Sequence, residues 1–240
     1  MSADALALVH VDDALVVVDK PAGLPSVPAR LPPGHDNLTE RVQRRFGDAL
    51  VVHRLDMATS GLMVFARGAA MQRALSMAFA ARQVGKRYEA VVDGLVAGDE
   101  GVIDLPLAAD WPQRPRQRVD PLRGRPSLTR WQVLGRDLDA RCSRLALEPV
   151  TGRSHQLRVH LLAIGHPIVG DALYAPALRA PRLMLHATTL ALAHPASGAL
   201  LVLTSPAALP ASAAGAPAEV PAAVPAEVPA EVPATAVVAV

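Results

Sequence analysis

Cysteine, lysine and long apolar runs are scarce in this chain, and each shortage removes a class of protein. With one cysteine, Cys142, among 240 residues, no intrachain disulfide and no multi-cysteine zinc site can form, and a reducing, cytoplasmic setting is expected. Met1 is followed by no basic segment leading into an apolar one, and no apolar run approaches the roughly 20 residues that a membrane-spanning helix needs. The positive mean hydropathy instead reflects abundant alanine, valine and leucine. No glycine-rich phosphate loop is present. What the chain has in quantity is hydrophobic residues, 51% of the total. That is enough to bury a substantial core in one domain or two closely fused subdomains.

Lys20 and Lys86 are the only lysines, so the remaining 22 basic residues are arginines, whose planar fork binds phosphate bidentately and stacks on bases. The formal charge of +2 understates the basic character of the body. Residues 207–240 hold three glutamates and no lysine or arginine, leaving 24 basic against 19 acidic groups in residues 1–206. Arg114, Arg116, Arg118, Arg123, Arg125 and Arg130 crowd residues 111–130 against Asp120 alone. Interleaved Pro112, Pro115, Pro121, Pro126 and Gly124 exclude a regular helix there, so an irregular, exposed basic loop with Trp111 at its entry is expected. Such a loop suits a phosphate backbone, and it also suits simple solvation.

Short strands are expected at Val9–Val11 and Ala14–Val18, then a rigid Lys20–Pro25 loop and a helix capped by Asn37 with Glu40 three residues on. Val51–Leu55 and Leu62–Ala66 read as strands, Gly68–Val84 as a helix stopped by Gly85, and Arg87–Asp93 as a half-buried strand. Trp131–Leu134 and Arg144–Val150 form a strand pair, and a short helix spans His155–Ile164. Leu183–His186, Leu190–His194 and Leu200–Thr204 close the body. Many strands, few helices and hairpin-like connections define an α+β fold with a mixed, mostly antiparallel sheet and flanking helices. From Pro217 a proline recurs every fourth residue, which forbids helix, so residues 207–240 are expected to form a disordered tail.

The stretch His53-Arg54-Leu55-Asp56-Met57-Ala58-Thr59-Ser60-Gly61-Leu62 sets one carboxylate between an arginine and a turn of small residues. On extended backbone, side chains two apart share a face, so Arg54 and Asp56 are expected to line one cleft. Gly61 is free to take positive φ in the turn. Read alone, the pattern fits a structural ion pair as well as a reactive acid.

HRLDMATSGL, with VVVDKPAGLPSVP (16–28), KRYEAVV (86–92), TGRSHQLRVHLLAIGHPIVGDALY (151–174) and PRLMLHA (181–187), resembles the motifs of the RluA family of RNA pseudouridine synthases. The likeness runs in order from about Val9 to Pro206. DLPLAADWPQRPRQRV (104–119) resembles the branch with dual specificity for tRNA and large-subunit rRNA. The resemblance implies a pseudouridine synthase fold in residues 1–206, built of two fused subdomains and lacking the S4 RNA-binding domain of several relatives. It makes Asp56 the essential acid of uridine isomerisation, Arg153 its guanidinium partner, and Tyr88 the ring that stacks on the base and serves as general base at C5. Arg54 would enter the stack vacated by the extruded nucleotide, and Arg114, Arg116 and Arg118 would grip the stem backbone.

The expected partners are structured RNAs, a tRNA anticodon stem-loop and a 23S rRNA hairpin, bound by a monomer without cofactor. No metal site is expected, since His155 and His160 lie on different helical faces with no acidic partner; His155 is expected to orient the Arg153 loop, and Asp171 near Tyr174 to make a structural turn. Three other readings compete: a catalytically silent RNA-folding factor, a synthase of another tRNA or rRNA site, and a glycoside hydrolase, which lacks its second acid.

Overall fold

The computed structural model describes residues 6–28, 35–178 and 180–209; the proline-repeat segment read as a tail lies outside them. Two compact units divide the chain, one gathering residues up to Lys86 with His186–Ala207, the other Arg87–Leu185.

The first unit opens with β1 (Ala7–Val11), β2 (Leu15–Lys20), α1 (Leu38–Arg45), β3 (Ala49–Val51), β4 (Ser60–Arg67) and α2 (Gly68–Ala80). The second contributes β5 (Gly85–Asp93), which starts at the boundary, then β6 (Glu100–Asp104), β7 (Leu107–Ala109), β8 (Gln117–Val119), β9 (Leu128–Asp137), β10 (Cys142–Pro149) and α3 (Gln156–Ala163). The chain then returns to the first unit through β11 (Leu185–Ala193) and β12 (Leu200–Thr204).

In the first unit β2 lies antiparallel between β1 and β4, β3 pairs the far end of β4, β12 pairs β11, and β11 runs parallel to β4. Strand alternation sorts the core. Val17, Leu62 and Val64 face one cluster with Leu75 of α2, while Val16, Val18, Met63 and Phe65 face another with Leu38 and Val42 of α1. A strand covered on both sides reads as a continuous apolar run, which is why β4 lacks polar alternation. Asn37 caps α1 by accepting the Glu40 N–H at 3.0 Å, as its sequence anticipates. Gly61 has φ +112, and a Cβ there would lie 2.3 Å from the Ala187 carbonyl oxygen. The start of β4 therefore tolerates no side chain at this position.

In the second unit β5, β10, β9 and β6 form an antiparallel series. This α+β arrangement, with every pairing described above antiparallel except β4–β11, agrees with the sequence reading. Four expectations change in detail. Residues 52–55 are not a strand, because the Leu55 N–H is taken by the Ser26 hydroxyl instead of a ladder partner. Helix α2 stops at Ala80 rather than Val84: Arg82 adopts φ +59, and the N–H groups of Arg82 and Gln83 close onto Phe79 and Ala78 carbonyls in a Schellman arrangement. The two strands expected in 183–194 are one, β11, since Thr188 and Thr189 suit a pleated surface. The loop expected in 111–130 includes part of an ordered hairpin, described below.

Candidate active site

Asp56 is half-buried in the irregular connection between β3 and β4. The backbone on both sides of it is held by the segment after β2. Ser26 donates its hydroxyl to the Leu55 carbonyl at 2.6 Å and accepts the Leu55 N–H at 3.1 Å. On the other side the Met57 carbonyl accepts from the Gly23 N–H at 2.8 Å and from the Lys20 ammonium at 3.0 Å. The Thr59 N–H closes the turn onto the Asp56 carbonyl. Ser60 bonds His186 at 2.9 Å, His186 bonds Ser205 at 3.1 Å, and Ser205 donates to Asp19 at 2.5 Å. His53 accepts the Val64 N–H at 3.0 Å and stacks on Phe79; burial and the Lys86 ammonium lower its pKa to about 3, so it is a neutral anchor. Asp56 is thus presented on backbone fixed from several elements of one unit, the preorganisation a reacting carboxylate needs.

Lys20 lies in the VVVDKPAGLPSVP segment (16–28), which by sequence assigns it no role; only its burial reveals one. It is fully buried, and its three ammonium hydrogens go to the carbonyls of Pro21 (2.9 Å), Leu24 (2.7 Å) and Met57. Burial pushes its pKa down to about 8, partly offset by the negative charge of Asp56. The two groups are therefore electrostatically coupled. Folding releases a proton from Lys20 between about pH 8 and its ordinary 10.5, so this residue's contribution to stability rises with pH across that window. Denaturant titration should show wild type gaining up to about 3 kcal/mol relative to Lys20→Met between those pH values. Parallel profiles for the two proteins would mean that the ammonium is not desolvated.

Arg54 is exposed beside this loop, on irregular backbone rather than on the strand that its shared face with Asp56 presupposed. Tyr88 and Arg153 belong to the second unit. Tyr88 is half-buried on β5 opposite Leu147 of β10. Ala90, Val91 and Val92 beyond it are all buried, so both faces of the strand are covered there and the expected alternation is lost. Arg153 sits in the Thr151–Ser154 turn, half-buried, with its side chain 3.4 Å from the Pro126 carbonyl.

That turn is built by Gln156, which the sequence did not single out. Its carbonyl oxygen accepts from the Arg153 N–H (3.0 Å) and the Thr151 hydroxyl (2.7 Å), while its amide donates to Leu128 and Thr129. His155 takes φ +56 and bonds the Tyr174 hydroxyl at 2.7 Å, holding the start of α3. His160 is buried against Thr129 and Leu105. Among the described residues no cluster of His, Cys, Asp and Glu could hold a metal ion, and no helix is long and apolar enough to cross a membrane. Asp171 makes the expected turn with the Leu173 and Tyr174 N–H groups and, beyond that expectation, a two-bond pair with Arg158.

Arg114, Arg116 and Arg118 gather on one structure, the antiparallel β7–β8 hairpin with a 3-10 turn at Trp111–Gln113. The clamped carboxylate loop lies in one unit and the arginine-bearing hairpin in the other.

Residues 14–163 match the family model described as RNA pseudouridylate synthase, and the chain belongs to that family. It is accordingly an isomerase that converts uridine in RNA to pseudouridine. The dual-specificity RNA pseudouridine synthase RluA of Escherichia coli strain K12 is 48% identical over 205 residues, 84% of this chain and 93% of that protein. RluA of Yersinia pestis is 50% identical over 194 residues, 80% of this chain and 94% of that protein. The solved structure of human RNA pseudouridylate synthase domain containing 1 superimposes with a TM-score of 0.74 at 28% identity, covering 89% of this chain and 88% of that one.

Proposed function

We propose that this chain isomerises one uridine in a tRNA anticodon loop and one in a 23S rRNA hairpin, acting as a cytoplasmic monomer. The observation that carries the reading is the near full-length match to a relative named for dual specificity, 93% of whose length is covered. Residues 1–206 form the catalytic domain in this reading, and 207–240 an appendage.

Asp56 is the group that either attacks the sugar or removes a proton once the base is extruded. The N1 to C1′ bond breaks, the freed uracil turns, and C5 bonds to C1′; the C5 proton leaves to solvent through Tyr88 and N1 gains one, so the conversion is an isomerisation with no net loss of atoms. Arg153 is the guanidinium partner of Asp56 in this reading, and Gln156 holds its turn. Arg54 fills the stack left by the extruded nucleotide, which costs a few kcal/mol to unstack. Arg114, Arg116 and Arg118 provide phosphate contacts whose affinity falls with salt.

Tritium release from 5-tritiated uridine in anticodon stem-loop and 23S hairpin transcripts tests this reading, with carbodiimide-blocked primer extension locating the product. Release from both RNAs is expected, at one uridine each. Tyr88→Phe should slow release by about 10²-fold or more while still binding both RNAs, because the ring remains and the proton acceptor does not. Binding by wild type without product on either RNA would replace the synthase reading of these substrates with that of a silent RNA-folding factor.

A further inference from the structure

Trp111 is one of two tryptophans in the chain, yet it is 69% exposed. A single exposed apolar side chain is ordinary; three observations separate this one from that background. The Arg114 guanidinium lies 3.6 Å from the centre of the indole ring, so one face is already stacked on a planar cation. Among the described residues no carboxylate pairs with Arg114, whereas Arg118 is paired with Asp120 at 3.0 Å. The indole is also held by an ordered frame. The Asp110 N–H donates to the Arg116 carbonyl and the Arg116 N–H to the Gln113 carbonyl, both at 2.9 Å. The Gln117 N–H is anchored on the Tyr174 hydroxyl at 2.7 Å.

An exposed, preorganised aromatic face beside an uncompensated guanidinium matches the two halves of a nucleotide, a flat base and a phosphate. An acidic peptide would satisfy the arginines and leave the indole in water. Bases within a duplex present only their edges, so the base that stacks here must be unpaired.

We propose that Trp111 and Arg114 form a stacking platform for one unpaired base of the RNA substrate, other than the uridine that reacts, and that this platform selects loop-bearing RNA over duplex. The inference rests on the RNA-modifying function above and deepens it.

Trp131→Phe leaves Trp111 as the sole fluorophore, and its pseudouridine formation should match wild type. Titration with an anticodon stem-loop transcript should then quench the emission, and the same stem as a blunt duplex should not. In the otherwise unaltered chain, Trp111→Leu should weaken stem-loop binding by about 5- to 100-fold, raising KM with kcat unchanged, and Trp111→Phe should restore most of the loss. The dependence of log K on log salt should keep its slope in Trp111→Leu and lose about one unit in Arg114→Ala.

The platform is overturned if Trp111→Leu binds stem-loop within twofold of wild type, or loses stem-loop and duplex affinity equally. Quenching by vesicles of anionic lipid with RNA affinity unmoved would also overturn it, in favour of a membrane surface. Absence of pseudouridine in the wild-type reaction would instead count against the proposed substrates, since the fluorescence titration reads the platform without turnover.

Discussion

Asp56→Asn should abolish tritium release, a loss of at least about 10³-fold, with the fold intact. Asparagine keeps the size of the side chain and removes the charge and the nucleophilic or basic oxygen. The bonds to the backbone of Leu55 and Met57 from Ser26, Gly23 and Lys20 remain available when the carboxylate is replaced. The buried Lys20 reports on the same substitution independently. Asp56 raises its pKa, so Asp56→Asn should lower it below about 8, a shift that can be followed by isotope-edited NMR of the lysine side chain. Full activity in this variant would end the assignment of Asp56 as the reactive acid. Lost activity with the lysine unmoved would show that the two groups are not coupled.

The largest effect on stability should come from Asp171→Ala, at about 3–5 kcal/mol. Arg158 and Asp171 are 7% and 1% exposed and share two hydrogen bonds of 2.7 Å. Removing the carboxylate strands a guanidinium in the interior, together with the Leu173 and Tyr174 N–H groups that the same oxygen accepts. A drop in Tm of about 10 °C is expected by thermal denaturation, and an Arg158→Met/Asp171→Leu double variant should recover much of it because no unpaired charge remains. A shift of Tm under about 2 °C would mean the site is hydrated in solution. The pair also has a pH signature. Burial pushes the Asp171 carboxyl up, but the bonds and charge of Arg158 with the two N–H groups outweigh it and hold the pKa below the ordinary carboxylate value. Its stabilisation is therefore present above about pH 4 and lost as pH falls through the folded value.

Much of the fold is legible residue by residue. The Asn37 cap, the turn at Asp171 and the short helix after Thr151 all follow from contacts within a few positions, where side-chain chemistry and backbone geometry share one stretch of chain. Errors fall where a distant group competes for the backbone. Residues 52–55 have strand composition, yet Ser26, 29 residues away from Leu55, takes the hydrogen bonds a strand would need. Arg82 ends α2 in a conformation usually left to glycine, so Gly85 looked like the stop. The proline-rich stretch after Leu107 looked irregular because β7 and β8 are three residues each and close around a turn that only pairing defines.

The sequence by itself determined which residue types are available and in what order. One isolated acid precedes a small-residue turn, all basic groups but Lys20 and Lys86 are arginine, and the motifs belong to RNA pseudouridylate synthases. Tertiary structure alone decided that Lys20 is buried and coupled to Asp56, that Gln156 builds the Arg153 turn, and that Arg158 faces Asp171. A lysine's pKa and an ion pair's worth depend on the loss of water around them, and that loss exists only once segments far apart in the chain have packed together.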